Sequence, residues 1–207
     1  MSRVCAGADL GLVAQGRGAE IATKRGGFAG LVTRRVAKPL IDAVNGPALA
    51  GGFEIMLACD MVVASEDSIF GIPEVKRGLF AAAGGLIRLP KRIPRAVATE
   101  MALTGDAIDA ATAAEWGLIN RAVPDAELDA AVHDLLTRAT RGSVASKALG
   151  KQGFYAQVGL DQRAAYAEAV HLMSSAATSP DAQEGIAAFL EKRKPAFTEQ
   201  PAGRELQ

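Results

Sequence analysis

The run Ala48-Leu49-Ala50-Gly51-Gly52-Phe53-Glu54 constrains this chain more than any other. It sets a pair of glycines at the start of an apolar helix, where a ligand atom can approach the backbone with no Cβ in the way. The first amides of a helix have no acceptor inside it, and the helix dipole adds partial positive charge there. An anionic oxygen is favoured in such a place. A second glycine turn lies in Cys5-Ala6-Gly7-Ala8-Asp9-Leu10, and a loop with a further carboxylate in Phe70-Gly71-Ile72-Pro73-Glu74. Taken singly, each glycine turn also has a structural explanation, because close helix–sheet packing demands glycine as well.

Glu54 follows Gly51 by about one helical turn, so its side chain rises beside the same amides. A carboxylate among Phe53, Ile55, Met56 and Leu57 is expensive to bury without a purpose or a partner. The plainer reading is an acid that stabilises a helix N-terminus. Glu74 is bracketed by Phe70, Ile72 and Leu79, and its plainer reading is a salt bridge with Lys76 or Arg77. As a pair they offer more. One ionised carboxyl can take a proton from water while a neutral one gives a proton to carbon. Apolar surroundings and mutual repulsion both raise carboxyl pKa values.

The bulk composition removes several other functions. Hydrophobic residues make up 49% of the 207 and charged residues 22%, enough apolar material for a core. Lys plus Arg match Asp plus Glu at 23 each, so nothing global attracts nucleic acid or a membrane surface. Cys5 and Cys59 show neither metal spacing nor a disulfide framework, which reads as a reduced, cytoplasmic protein. Met1-Ser2-Arg3 does not open a secretory signal, and no apolar run is long enough to span a bilayer. His133 and His171 both fall in helix-like segments, which disfavours a histidine triad or a histidine zinc site.

Along the chain, residues 4–8 read as the end of a strand entering a loop. Residues 11–30 carry Gly, Arg and Lys without a period and read as a loop or short helix near the site. Residues 40–44 form an apolar strand ended by Asn45-Gly46-Pro47, residues 51–59 a short helix and residues 61–64 a buried strand. Strands alternating with short helices imply α/β layers built largely from one repeated unit. Helices follow at 84–89, 95–103 and 109–116, the last closed by Gly117, with a strand expected over 118–123. Residues 127–138 are amphipathic, and 144–156, 160–174 and 180–192 complete a helical tail whose apolar faces need the core or a neighbouring subunit. The division expected is a core over 1–138 and a helical oligomerisation region over 139–207.

These segments, in this order, resemble the enoyl-CoA hydratase/isomerase (crotonase) family. The anchors are the A-G-A-D turn, A-L-A-G-G-F-E, the C-D-M-V-V-A strand, F-G-I-P-E and the terminal F-L-E-K-R-K, which together span nearly the whole chain. The resemblance implies an α/β, crotonase-like spiral of ββα units followed by a helical trimerisation region, giving a homotrimer or a dimer of trimers. It implies a CoA thioester whose carbonyl oxygen sits between the amides of Ala8 and Gly51. Glu54 would activate water for attack at C3, and Glu74 would protonate C2. Ala6, Ala8, Asp9, Leu10 and Gly51 would follow the CoA, with Phe189 and Lys192 closing over its nucleotide end. No metal and no cofactor is implied, because CoA belongs to the substrate.

Two departures stand beside the match. The chain begins just ahead of the first glycine turn, where family members carry earlier strands and a helix that complete the spiral; this predicts an uncovered sheet edge. Ala82, in Ala81-Ala82-Ala83-Gly84-Gly85, stands where many hydratases have glycine in the turn that positions water. The reaction expected is hydration of trans-2-enoyl-CoA to 3-hydroxyacyl-CoA. The alternatives are an enoyl-CoA isomerase and a non-catalytic acyl-CoA binder.

Overall fold

The computed structural model describes residues 5–198. The chain divides into two units, one of Met1–Arg35 with Leu40–Leu136, the other of Val36–Pro39 with Thr137–Gln207. The first unit opens with a short helix α1 (Leu10–Ala14), a 3-10 turn (Gly18–Ile21) and a hairpin of β1 (Ala22–Thr23) and β2 (Gly27–Phe28). It continues through β3 (Ile41–Val44), β4 (Ala48–Leu49), α2 (Gly51–Ala58), β5 (Met61–Ser65) and β6 (Ile69–Gly71). A 3-10 turn (Pro73–Arg77), α3 (Gly85–Arg92), α4 (Arg95–Thr104), β7 (Ile108–Asp109), α5 (Ala110–Glu115) and β8 (Arg121–Val123) follow. The helix α6 (Leu128–Thr140) comes next.

The strand pairing shows the repeat. β3 and β5 lie parallel in one sheet, and β4 and β6 lie parallel in another. Each strand–strand–helix step therefore adds one strand to each of two sheets, so the chain climbs as a spiral. β8 extends the first sheet in parallel, and β7 the second antiparallel. β5 is central, flanked by β3 and β8, and Val62 to Ser65 are buried on both faces, as a central parallel strand requires. Between the sheets and helices lies a core of Phe53, Met56, Leu57, Phe70, Ile72 and Leu89, each no more than 2% exposed. Burial on this scale contributes about 1.5–3 kcal/mol per large apolar side chain.

Side chains pin the strand ends. Asp60 Oδ2 accepts the Leu40 N–H at 2.6 Å and Asn120 Oδ1 accepts the Val62 N–H at 2.7 Å. The left-handed Gly117 (φ 73) and the N–H groups of Leu118 and Ile119 on the Ala113 carbonyl hold residues 118–119 in a turn, and Asn120 meets β5 through its own N–H on the Val62 carbonyl at 2.9 Å. The strand expected over 118–123 is accordingly only β8. The aperiodic stretch 11–30 is more structured than expected, because its turns run through left-handed Gly16, Gly27 and Gly30. Of the strand end expected over 4–8, Val4 lies outside the described residues and Cys5 forms a parallel bridge with Ala48.

The second unit holds α7 (Val144–Ala156), α8 (Gln162–Ala177) and α9 (Pro180–Leu190). Ser143, Asp161 and Ser179 cap them in turn, each side chain accepting an amide hydrogen of the first turn. Asp161 moves the start of α8 two residues past the expected boundary. Asp181 Oδ1 accepts both the N–H and the hydroxyl of Thr198, at 2.9 and 2.6 Å. Large apolar side chains remain on the surface of this unit, among them Phe154, Tyr166, Val170, Met173 and Phe189. His133 and His171 are exposed helical residues. Cys5 and Cys59 are not joined in a disulfide.

Candidate active site

The two glycine turns meet. The Cys5 N–H donates to the Pro47 carbonyl at 3.0 Å and the Leu49 N–H to the Cys5 carbonyl at 2.9 Å, a short ladder that lays residues 5–8 along the approach to α2. Gly7, at φ 88, packs so closely that a Cβ on it would meet the Gly51 amide nitrogen and, at 2.8 Å, the Gly51 Cα. Neither position tolerates a side chain. Ala50 enters α2 with φ 51 and donates its N–H to the Gly71 carbonyl at 2.9 Å, tying the turn to the strand that leads into Pro73-Glu74. Among the described residues, neither the Ala8 nor the Gly51 N–H donates in a turn, loop or cap hydrogen bond. The two bends thus each contribute one amide without such a backbone partner.

Glu54, in the first turn of α2, is 3% exposed. Its Oε1 accepts the Gly85 N–H at 2.8 Å, the first amide of α3. Burial pushes its carboxyl above the ordinary value; the Gly85 amide opposes this, the Glu74 charge adds to it, and the Ala83 amide and Arg88 pull it back. Glu74 begins the 3-10 turn after Pro73, half-buried, with Oε2 inaccessible and without a hydrogen-bond partner. Burial raises its carboxyl too, opposed by its own N–H and by the charge of Arg77. The salt bridge weighed for it with Lys76 does not form, because Lys76 pairs with Asp106 at 2.6 Å.

The environments differ in a usable way. Glu54 is surrounded by donors that support a carboxylate, whereas Glu74 keeps an oxygen with nothing to accept from. Both carboxyls are raised by burial, and two acids with unlike hydrogen-bond partners can serve as base and acid.

Asp9 caps α1, its Oδ1 accepting the Gly11 N–H at 2.8 Å, while Ala6 and Leu10 are exposed on the same turn. Phe189 and Lys192 belong to the second unit. Phe189 is 82% exposed, and the chain leaves α9 through Lys192 in a left-handed conformation, φ 56. Four contributors have no signal in the sequence: the Ala83 and Gly85 amides on Glu54, the Arg88 charge, and Phe28 against Gly51. Gly84-Gly85 is legible as a helix start, but nothing local says that a helix start will face a buried acid thirty-one residues earlier. Phe28 sits in the aperiodic stretch, where no pattern marks it. Among the described residues no cluster of His, Cys, Asp or Glu is suited to a metal ion, and no helix is long and apolar enough to cross a membrane.

A family profile described as enoyl-CoA hydratase/isomerase matches residues 2–200. The chain belongs to the enoyl-CoA hydratase/isomerase family. It is 40% identical over 197 residues to mevalonyl-coenzyme A hydratase of Aspergillus fumigatus, covering 92% of this chain and 72% of that one. It is 38% identical over 200 residues to carnitinyl-CoA dehydratase of Proteus mirabilis, covering 92% and 75%. A solved enoyl-CoA hydratase from Mycobacterium tuberculosis H37Rv superposes with a TM-score of 0.86 at 43% identity, over 94% of this chain and 76% of that one. The crotonase-family fold, mixed α/β, is thereby that of this chain.

Proposed function

We propose that this chain catalyses the reversible hydration of a trans-2-enoyl-CoA to a 3-hydroxyacyl-CoA. The observation that carries the reading is the contact of Gly7 with Gly51, one helical turn from a buried Glu54. The thioester oxygen accepts from the N–H groups of Ala8 and Gly51. Glu54, as carboxylate, takes a proton from water, whose oxygen forms a bond to C3. The C2–C3 π electrons move into the enolate, and its charge rests on the oxygen between the two amides. Glu74, as neutral acid, delivers a proton to C2 as the enolate collapses. Dehydration runs the same steps backwards.

The magnitudes are adequate. One amide donor to a developing oxyanion is worth on the order of 10²–10³ in rate, and a positioned acid or base about 10²–10⁴. The mevalonyl-CoA and carnitinyl-CoA relatives, by name a hydratase and a dehydratase, support water addition or removal on a CoA thioester. They also support an acyl group bearing polar substituents. We assign Ala6, Asp9 and Leu10 to the CoA path, Phe189 and Lys192 of an adjacent copy to its nucleotide end, and the exposed apolar side chains of the second unit to a homotrimer or dimer of trimers in the cytoplasm.

Purified protein given crotonyl-CoA should lose the conjugated-enoyl absorbance and yield the 3-hydroxy product. A shift of the double bond without uptake of water would make it an isomerase. Thioester binding without turnover at any chain length would make it a binder.

A further inference from the structure

A side chain from outside the two glycine turns, Phe28, packs on the Gly51 Cα: a Cβ at Gly51 would meet Cε1 and Cζ of its ring at 2.6 Å and the Gly7 Cα at 3.1 Å. Gly51 thus has an aromatic ring and the first turn both close against it. The fold goes to some length to put the ring there. Gly27, Ala29 and Gly30 all lie at positive φ, 63, 52 and 70. Alanine takes that conformation only under strain, which persists where the surroundings over-determine it and tends to gather at functional sites. Cross-bonds lock the turn: Thr33 N–H to the Gly26 carbonyl at 3.0 Å, Leu31 N–H to the Phe28 carbonyl at 3.1 Å, and Gly26 N–H to Thr23 Oγ1 at 3.0 Å. Arg88 Nη2 donates to the Val32 carbonyl. The helix whose first amide holds Glu54 therefore also holds the turn that carries Phe28.

We propose that Phe28 is a positioning residue for the thioester carbonyl. Its ring presses Gly51 against Gly7 and keeps the amides of Ala8 and Gly51 aimed at one oxygen. The inference rests on the oxyanion reading above, and it assigns a role to a segment that reading leaves unused. The ring touches the backbone of a donor, not the reacting atoms. Its removal should loosen the geometry of charge stabilisation more than the binding of CoA.

The test uses an aryl-conjugated enoyl-CoA, whose absorption band moves to the red when its carbonyl oxygen is polarised. Wild type should bind it with a red shift. Phe28→Ala should bind within about threefold of wild type yet lose most of the shift, and its kcat should fall about 10–100-fold, the scale of a small misplacement. Phe28→Tyr, which keeps the ring, should restore both. Phe28→Leu fills most of the volume without the flat face, and serves if Phe28→Ala does not fold; it should give an intermediate shift. In the double variant Phe28→Ala/Gly51→Ala, the two effects on kcat should be less than multiplicative, because the ring that a Cβ at 51 would strike is gone. A full red shift in folded Phe28→Ala or Phe28→Leu overturns the inference alone. A wild type that binds the probe with no shift overturns the oxyanion reading and this inference with it.

Discussion

The Gly85 N–H donates to Glu54 Oε1 at 2.8 Å, so the first amide of one helix holds the buried acid of another. A negative charge on Glu54 would lie at the N-terminus of α3, where a helix dipole favours it. Replacing either acid by its amide keeps the shape and removes the proton transfer. Glu54→Gln and Glu74→Gln should each lower kcat by about 10²–10⁴-fold, with thioester affinity in equilibrium binding changed far less. Equal losses of binding and turnover would mean that the acids shape the pocket rather than act in it.

The neighbours of Glu54 set where its ionisation falls, and two of them pull in opposite directions. The Glu74 charge raises it and Arg88 lowers it. In the pH profile of kcat/KM the acid limb follows the loss of the Glu54 proton. Arg88→Gln should move that limb to higher pH. A carbon-13 titration of the Glu54 carboxyl, needing no turnover, should show the same displacement.

The same burial makes Glu54 a liability to folding at neutral pH. Its folded value lies above the ordinary 4.5, chiefly through desolvation. As pH rises the unfolded chain therefore gives up its proton first. The stability this group contributes is complete below the ordinary value and is lost as pH rises through the folded one. Glu54→Gln has no such loss. Its Tm relative to wild type should climb from acid towards neutral pH and then level off. A difference in Tm that does not change with pH would show that the carboxyl keeps its ordinary ionisation in the fold.

Much of this site is legible in sequence because it is built from local chemistry. The glycines at 7, 51 and 52 mark places where close approach is allowed, and Glu54 keeps its place one turn after Gly51 in any helix. The alternation of strand and helix is legible too, since β3, α2 and β5 each carry their own pattern, while the spiral follows from the family resemblance. What escapes depends on distance. Phe28 reaches Gly51 through a turn of left-handed residues with no periodicity, and Arg88 reaches Val32 across the fold. β8 starts later than expected because the N–H groups of Leu118 and Ile119 close a turn onto the Ala113 carbonyl, and the Asn120 side chain on the Val62 amide is a long-range bond that no window of sequence shows. The left-handed Ala29 is unreadable for a further reason: alanine does not advertise positive φ.

Gly7→Ala isolates the contact between the two turns. At φ 88 a Cβ is strained, and here it also meets the Gly51 Cα at 2.8 Å. The strain costs about 1–2 kcal/mol before any clash. The variant should melt earlier, and in folded protein its turnover should drop by about 10²-fold or more, the value of one misplaced oxyanion donor. Gly16→Ala is the control. Gly16 has φ 75 and open space where a methyl would go, so it should lose stability and keep its turnover.

In the second unit, one carboxylate fastens the segment after α9. Glu184 accepts from Arg193 Nη1 and Nη2 at 2.6 and 2.9 Å and from the Ala196 N–H at 2.6 Å. The Arg193 hydrogen bonds lower its carboxyl to about 2, with the Ala196 amide helping. A depressed value means that the folded chain holds its charge where the unfolded chain would already be protonated. The contribution is complete above the ordinary 4.5 and disappears as pH falls through about 2. Glu184→Gln should speed hydrogen exchange at the Ala196 amide at neutral pH, and the gap from wild type should close as the solution is acidified towards pH 2. A gap that stays constant down to that pH would show that shape at residue 184, not charge, holds the segment in place.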